Sequence, residues 1–135
     1  MTVEAMTGWV DVIDDDADVR GSIGSLLRSE GHQVRLFDSP AAYLAADAPR
    51  TACCLVLDIR LSGENGLDFQ DRLIAQARMV PVVLITGFGD IPMTVRGMRA
   101  GAVDVLPKPF GDEQLLQAVD RALTTDARRR ADAEQ

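Results

Sequence analysis

Residues 53–58 read CCLVLD, five apolar residues in succession followed by a single acid. A strand with one wet face alternates apolar and polar residues, so an unbroken apolar run points to burial on both sides, as in the middle of a parallel sheet. PVVLI at 81–85 has the same character. Outward from this pair lie three more short runs, WVDVI at 9–13, QVRLF at 33–37 and AVDVL at 102–106. Between the runs, helical character covers roughly 17–30, 40–48, 65–78, 91–100 and 112–124. In the first of these Val19, Ile23, Leu26 and Leu27 share one face, and in the last Leu115, Leu116, Val119 and Leu123 form one stripe.

The punctuation agrees with this division. Gly31 and Gly101 stand where helices should stop, and Ser39-Pro40 pairs a capping hydroxyl with a first-turn proline. Five alternations of strand and helix predict an α/β fold, a doubly wound five-stranded parallel sheet with helices on both faces. Residues 1–8 read as an N-terminal extension and 9–124 as the domain. Residues 125–135 read as the start of a connector to an output domain outside this chain. Within the connector, Arg128–Arg130 has acidic neighbours on both sides and reads as a solvated helix end.

Composition narrows the function classes. The chain has 135 residues, 47% of them hydrophobic, enough for one buried core. A net charge of -7 works against direct contact with nucleic acid, whose phosphates would repel it. No apolar run approaches the ~20 residues of a membrane span, and MTVEAMTGWV lacks the basic start of a signal peptide, so a soluble, cytoplasmic protein is expected. Cys53 and Cys54 are adjacent in an apolar strand and point to opposite faces, which favours packed, reduced thiols. The single histidine, His32, sits in the polar turn EGHQ and is read as a solvated turn residue.

The residues that follow the strands carry the chemistry. WVDVI runs into Asp14-Asp15-Asp16, CCLVL into Asp58, PVVLI into Thr86-Gly87, and AVDVL into Pro107-Lys108-Pro109. In an open parallel sheet all strands end on one edge, where ligands bind. One crevice should therefore hold several carboxylates, a hydroxyl and an ammonium. Asp16 or Asp18 is accounted for as a helix cap, but one cap cannot use Asp14, Asp15 and Asp58 together. Crowded carboxylates repel unless a cation neutralises them, and an oxygen-only set without His or Cys suits Mg²⁺. Mg²⁺, lysine and threonine each favour phosphoryl oxygens, and an aspartate can itself attack phosphorus. The set describes phosphoryl transfer onto an aspartate.

At this point VIDDD (12–16), LVLDIRLSGENG (55–66), LITGFGD (84–90) and GAVDVLPKPF (101–110) resemble, in order and spacing, the four signature regions of the response-regulator receiver family of two-component systems. The resemblance covers about residues 9–124, and TGFGDIPMTVRGMRAGAVDVLPKPF is especially similar to receivers of the FixJ type, which usually precede a helix-turn-helix DNA-binding domain. It implies a flavodoxin-like (βα)5 fold with strand order 2-1-3-4-5. It implies a phosphoacceptor domain rather than an enzyme, charged by a sensor histidine kinase, with Mg²⁺-dependent phosphotransfer and autodephosphorylation of its own. By position, Asp58 would accept the phosphoryl group, and Thr86 and Lys108 would contact its oxygens. Asp15, Asp58 and the Arg60 carbonyl would hold Mg²⁺, with Asp14 helping through water. Lys108-Pro109 resembles the family's cis peptide. A phosphorylation-dependent homodimer and control of transcription follow from the same resemblance.

Two positions depart from the family pattern. Ser62 replaces the usual proline after the phosphoacceptor, which implies a looser loop. Val105 replaces the usual Tyr or Phe three residues before the lysine, and a short side chain stiff at χ1 cannot make the inward swing of a ring. The switch is then expected in Gly87-Phe88-Gly89 and the helix that begins near Ile91. Among rivals, a haloacid-dehalogenase-type phosphatase would carry a second acid where Arg60 stands, and no G-x-G-x-x-G follows the first strand. A flavodoxin-like cofactor binder is disfavoured because the three acids would repel a cofactor phosphate. A receiver-shaped interaction module that is never phosphorylated stays open.

Overall fold

β1 (Trp9–Ile13) pairs in parallel with β2 (Gln33–Phe37) on one side and β3 (Cys53–Asp58) on the other in the computed structural model, which describes residues 7–87 and 91–133. Beyond β3 lie β6 (Val82–Thr86) and β7 (Asp104–Pro107), also parallel, giving the order β2-β1-β3-β6-β7. Counting only these five strands, this is the expected 2-1-3-4-5. All six residues of β3 and all five of β6 are buried, as their unbroken apolar runs require. A short antiparallel pair, β4 (Arg60–Leu61) with β5 (Glu64–Asn65), follows β3 directly and was not anticipated.

Side-chain alternation along the strands divides the core in two. Val10, Val12, Val56, Val83 and Ile85 face α1 (Ala17–Ser29) and α5 (Asp112–Ala133), meeting Ile23, Leu27, Leu115, Val119 and Leu123. Leu55, Leu57, Leu84 and Val105 face the other way, toward α2 (Pro40–Ala45), α3 (Gly66–Ala75) and α4 (Ile91–Arg99). Tyr43, Leu67, Phe69 and Leu73 complete that layer. Each of these buried apolar side chains stabilises the fold by about 1.5–3 kcal/mol relative to exposure.

The caps follow the sequence. Asp16 Oδ1 accepts from the N–H groups of Asp18 and Val19, and Ser39 from that of Ala42. Gly31 and Gly101, at φ +89° and +99°, end α1 and α4 in the left-handed conformation that glycine adopts without strain.

Two expectations are corrected. His32 is buried, 9% exposed, against the elements packed around it; burial lowers its pKa against the pull of Asp120 and Glu30. The tail is not simply a solvated helix end either, since α5 continues to Ala133. Asp126 is fully buried and accepts the N–H of Cys53 at 2.9 Å together with the guanidinium groups of Arg129 and Arg130. Arg130 also reaches the Pro49 carbonyl at 3.2 Å. A carboxylate thus joins the last turns of α5 to the start of β3. Both cysteines are buried free thiols, and burial pushes Cys53 up to about 11 and Cys54 higher still.

Candidate functional site

Parallel pairing brings the carboxyl ends of β1, β3, β6 and β7 to one edge. Asp14 and Asp15 follow β1, Asp58 ends β3, Thr86 ends β6, and Lys108 follows β7. The edge gathers them as expected. One carboxylate oxygen each from Asp14, Asp15 and Asp58 lies within 4.8 Å of the others. Lys108 Nζ stands 3.1 Å from Asp58 Oδ2 and 4.0 Å from Asp14 Oδ2. Thr86 is buried, and its carbonyl accepts the Lys108 N–H at 2.8 Å, so the ends of β6 and β7 are tied at the site. The Lys108–Pro109 peptide is cis.

The two acids after β1 have opposite environments. Asp14 is 1% exposed, its Oδ1 takes the Asp16 N–H at 2.9 Å, and its Oδ2 has no hydrogen-bond partner. Burial above all raises its pKa to about 6, and the neighbouring Asp58 charge adds to the rise, while the Asp16 N–H and Lys108 oppose it. Asp15 lies at the exposed rim, and the Ser62 hydroxyl, at 2.7 Å, holds its carboxyl below the usual range. The Ser62 N–H also donates to Asp15 Oδ2, at 3.0 Å. The loop expected to be loose is therefore tied to the acid pair by the residue that replaces proline.

Asp58 is fixed by its own turn. Its Oδ1 accepts the Arg60 N–H at 2.9 Å, which leaves Oδ2 facing Lys108. The β4–β5 hairpin folds back over this turn because Gly66 comes against the backbone of β3. A Cβ at position 66 would lie 2.3 Å from the Asp58 carbonyl oxygen, so only glycine fits. Asn65 then caps α3, its side chain accepting the Leu67 N–H at 2.7 Å. The SGEN segment that supplies Ser62 and Asn65 was legible as part of a motif, but its hydrogen bonds were not.

An unpaired buried carboxylate oxygen beside two further carboxylates is what a hard cation satisfies, and the set offers oxygen donors alone. Asp14, Asp15 and Asp58 thus fit Mg²⁺. With a divalent cation on these three acids and the Lys108 ammonium beside them, the edge could receive a group that carries phosphoryl oxygens.

Comparison with known proteins gives the family. The model of the response regulator receiver domain matches residues 10–120. Nodulation protein W of Bradyrhizobium diazoefficiens is 48% identical over 88% of this chain and 52% of its own length. Response regulator protein TodT of Pseudomonas putida is 42% identical over 90% of this chain and 54% of its own. Among solved structures, the response regulator StyR superposes with a TM-score of 0.87 at 45% identity, covering 94% of this chain and 64% of StyR. The structure called FixJ-N gives 0.80 at 35% identity, covering 86% of this chain and 93% of that one. The chain spans about half the length of the curated relatives it matches. Matched by the family model over residues 10–120 and 48% identical to one relative over 88% of its length, the chain belongs to the response regulator receiver domain family.

Proposed function

We propose that Asp58 is the phosphoacceptor of a two-component pathway and receives its phosphoryl group from the phosphohistidine of a sensor kinase. The contact between Lys108 Nζ and Asp58 Oδ2 carries this reading, because it places a phosphate-seeking ammonium on the oxygen free to attack. An Asp58 carboxylate oxygen forms a bond to phosphorus as the P–N bond of the donor breaks; with the donor ring protonated on its other nitrogen, the products are an acyl phosphate and a neutral imidazole. Lys108 exchanges its carboxylate contact for a phosphoryl oxygen, and Thr86 supplies a hydroxyl donor. Asp15, Asp58 and the Arg60 carbonyl would hold Mg²⁺, with Asp14 helping through water, and the ion would supply charge neutralisation at the transferring group. The same residues support slow autodephosphorylation by water.

A groove of about 440 Å³ between α1 and the 108–112 segment opens beside Lys108, with Val19, Ile23, Leu26, Phe110 and Leu115 in its walls. It offers the donor protein an apolar foothold next to Asp58. Ile91, Val95 and Met98 leave large apolar area exposed on α4, which supports a phosphorylation-dependent homodimer through α4 and β7. The output, attached after the 125–135 connector or supplied by a partner, controls transcription in the cytoplasm. Among the described residues no helix is long and apolar enough to cross a membrane. Of the expected switch segment, Phe88 and Gly89 lie outside the described residues.

Incubation with acetyl phosphate and Mg²⁺, followed by intact-mass measurement, tests the proposal. One added phosphoryl mass is expected in the wild type and none in Asp58→Asn. No addition to the wild type would leave the interaction module that is never phosphorylated as the better reading.

A further inference from the structure

At the sheet edge opposite Asp58, two adjoining cavities of about 240 and 250 Å³ share Arg78, Met79, Val80 and Arg129 in their walls. Arg130 lines the second. Arg129 and Arg130 both pair with Asp126. Arg78 is half-buried and makes no hydrogen bond or ion pair through its side chain among the described residues. Three guanidinium groups against one carboxylate leave two positive charges uncompensated, in a chain whose net charge is -7. The phosphotransfer chemistry uses none of them.

The backbone holds Arg78 where it is. Ala77 has φ +55°, rare for a residue with a side chain, and the Arg78 N–H donates to the Leu73 carbonyl at 2.9 Å. Such a conformation persists only where its surroundings impose it. The rest of the first cavity's wall is mostly apolar, with Leu73, Val80, Val82 and Val103, and includes Thr125. It also touches Gln70, which is 2% exposed and whose Oε1 has no hydrogen-bond partner.

We propose that this edge binds a small organic carboxylate with a branched aliphatic body. The carboxylate sits on the guanidinium groups of Arg78 and Arg129, and the body sits on Leu73, Val80 and Val103. A guanidinium fork matches a carboxylate in two parallel hydrogen bonds. The aliphatic walls call for a body that a bare inorganic anion lacks. The size is set by volume: about 240 Å³ is the share of roughly eight waters, hence roughly eight heavy atoms. Arg78 follows α3 and Arg129 belongs to α5, so the bound anion bridges two elements that no ion pair joins among the described residues.

Amide chemical shifts of the full 135-residue chain, titrated with 4-methylpentanoate, 4-methylpentanamide and sulfate, test the site. Saturable shifts are expected with the acid at Leu73, Arg78, Val80 and Thr125. The amide, sulfate and the Arg78→Gln variant should each give roughly tenfold weaker binding or none. Unchanged labelling of Asp58 by acetyl phosphate checks that Arg78→Gln is folded. Absence of saturable shifts with the acid, or equal binding by Arg78→Gln or by the neutral amide, would overturn the site. Equal binding by sulfate would overturn the role of the aliphatic walls.

Discussion

Ser62 donates both its backbone N–H and its hydroxyl to a single oxygen of Asp15, at 3.0 and 2.7 Å. Two donors on Oδ2 draw off charge that a cation at the site would otherwise meet. Ser62→Ala removes the hydroxyl, the larger cause of the lowered Asp15 pKa. Mg²⁺ affinity at neutral pH should then rise roughly two- to tenfold, the equivalent of a net hydrogen bond of about 0.5–1.5 kcal/mol. Calorimetric titration reads this directly. Weaker binding in the variant would mean that Ser62 serves to hold Asp15 in place for the ion.

Asp14 gives the site a pH dependence whose sign is fixed. Its folded-state pKa of about 6 lies above the ordinary aspartate value of 3.8, so the folded chain holds the proton more tightly than the unfolded chain. Stability from this group is complete below the unfolded value and is lost as pH rises through about 6. Bound Mg²⁺ offsets that loss only where Asp14 is ionised. At ten times its dissociation constant, Mg²⁺ should raise the melting temperature by roughly 4–6 °C at pH 7.5. At pH 5 the gain should be less than half as large. Equal gains at both pH values, or the same contrast in Asp14→Asn, would remove Asp14 from the account.

Asp126 should behave in the opposite sense. Burial pushes its carboxyl up, but Arg130, the Cys53 N–H and Arg129 outweigh burial and hold it below the usual range. Its contribution is therefore present above an unfolded value of about 3.9 and lost as pH falls through the lower folded value. Asp126→Ala leaves the buried Cys53 N–H without its acceptor and should cost about 1–3 kcal/mol in urea unfolding at pH 7. Asp126→Asn keeps an acceptor and should cost less. Between pH 4 and 2 the wild type should lose stability more steeply than the alanine variant. Parallel pH profiles would contradict this.

Val105 is buried in the core layer against which Met93 of α4 packs. With no ring to swing, the proposed relay from Asp58 is expected to run through Thr86 and the segment after it. Hydrogen exchange with and without a phosphoryl mimic should change chiefly within residues 86–100. Changes confined to Asp58 and its own turn, with 86–100 silent, would rule the relay out.

The strands and the acid edge were legible because they rest on local signals: apolar runs, and the residue that follows each run. Parallel pairing then delivers Asp14, Asp58, Thr86 and Lys108 to one place whatever the details of the helices. What escaped depends on distant partners. Asp126 looked like one more polar residue in a charged tail, and its role exists only because the start of β3, 73 residues earlier, presents a bare N–H. His32 sits in a polar turn, and its burial is decided by elements packed around it rather than by its neighbours in sequence. The link from Ser62 to Asp15 spans 47 residues and joins two loops, neither of which shows a periodicity.

β3 carries Asp58 at one end and, at the other, the N–H that grips Asp126. A strand of six residues places those ends roughly 17–20 Å apart along a single buried rod. α5, at 22 residues, is a strut about 33 Å long. Clamped to the far end of the rod at Asp126, seven residues before its end at Ala133, the strut acts as an outrigger whose tip moves by ~0.2 Å for each degree of tilt about the clamp. The direction taken by anything joined beyond residue 133 is thus surveyed from the same strand that bears Asp58. Loosening the Asp126 clamp would blur that bearing while leaving the chemistry at Asp58 intact.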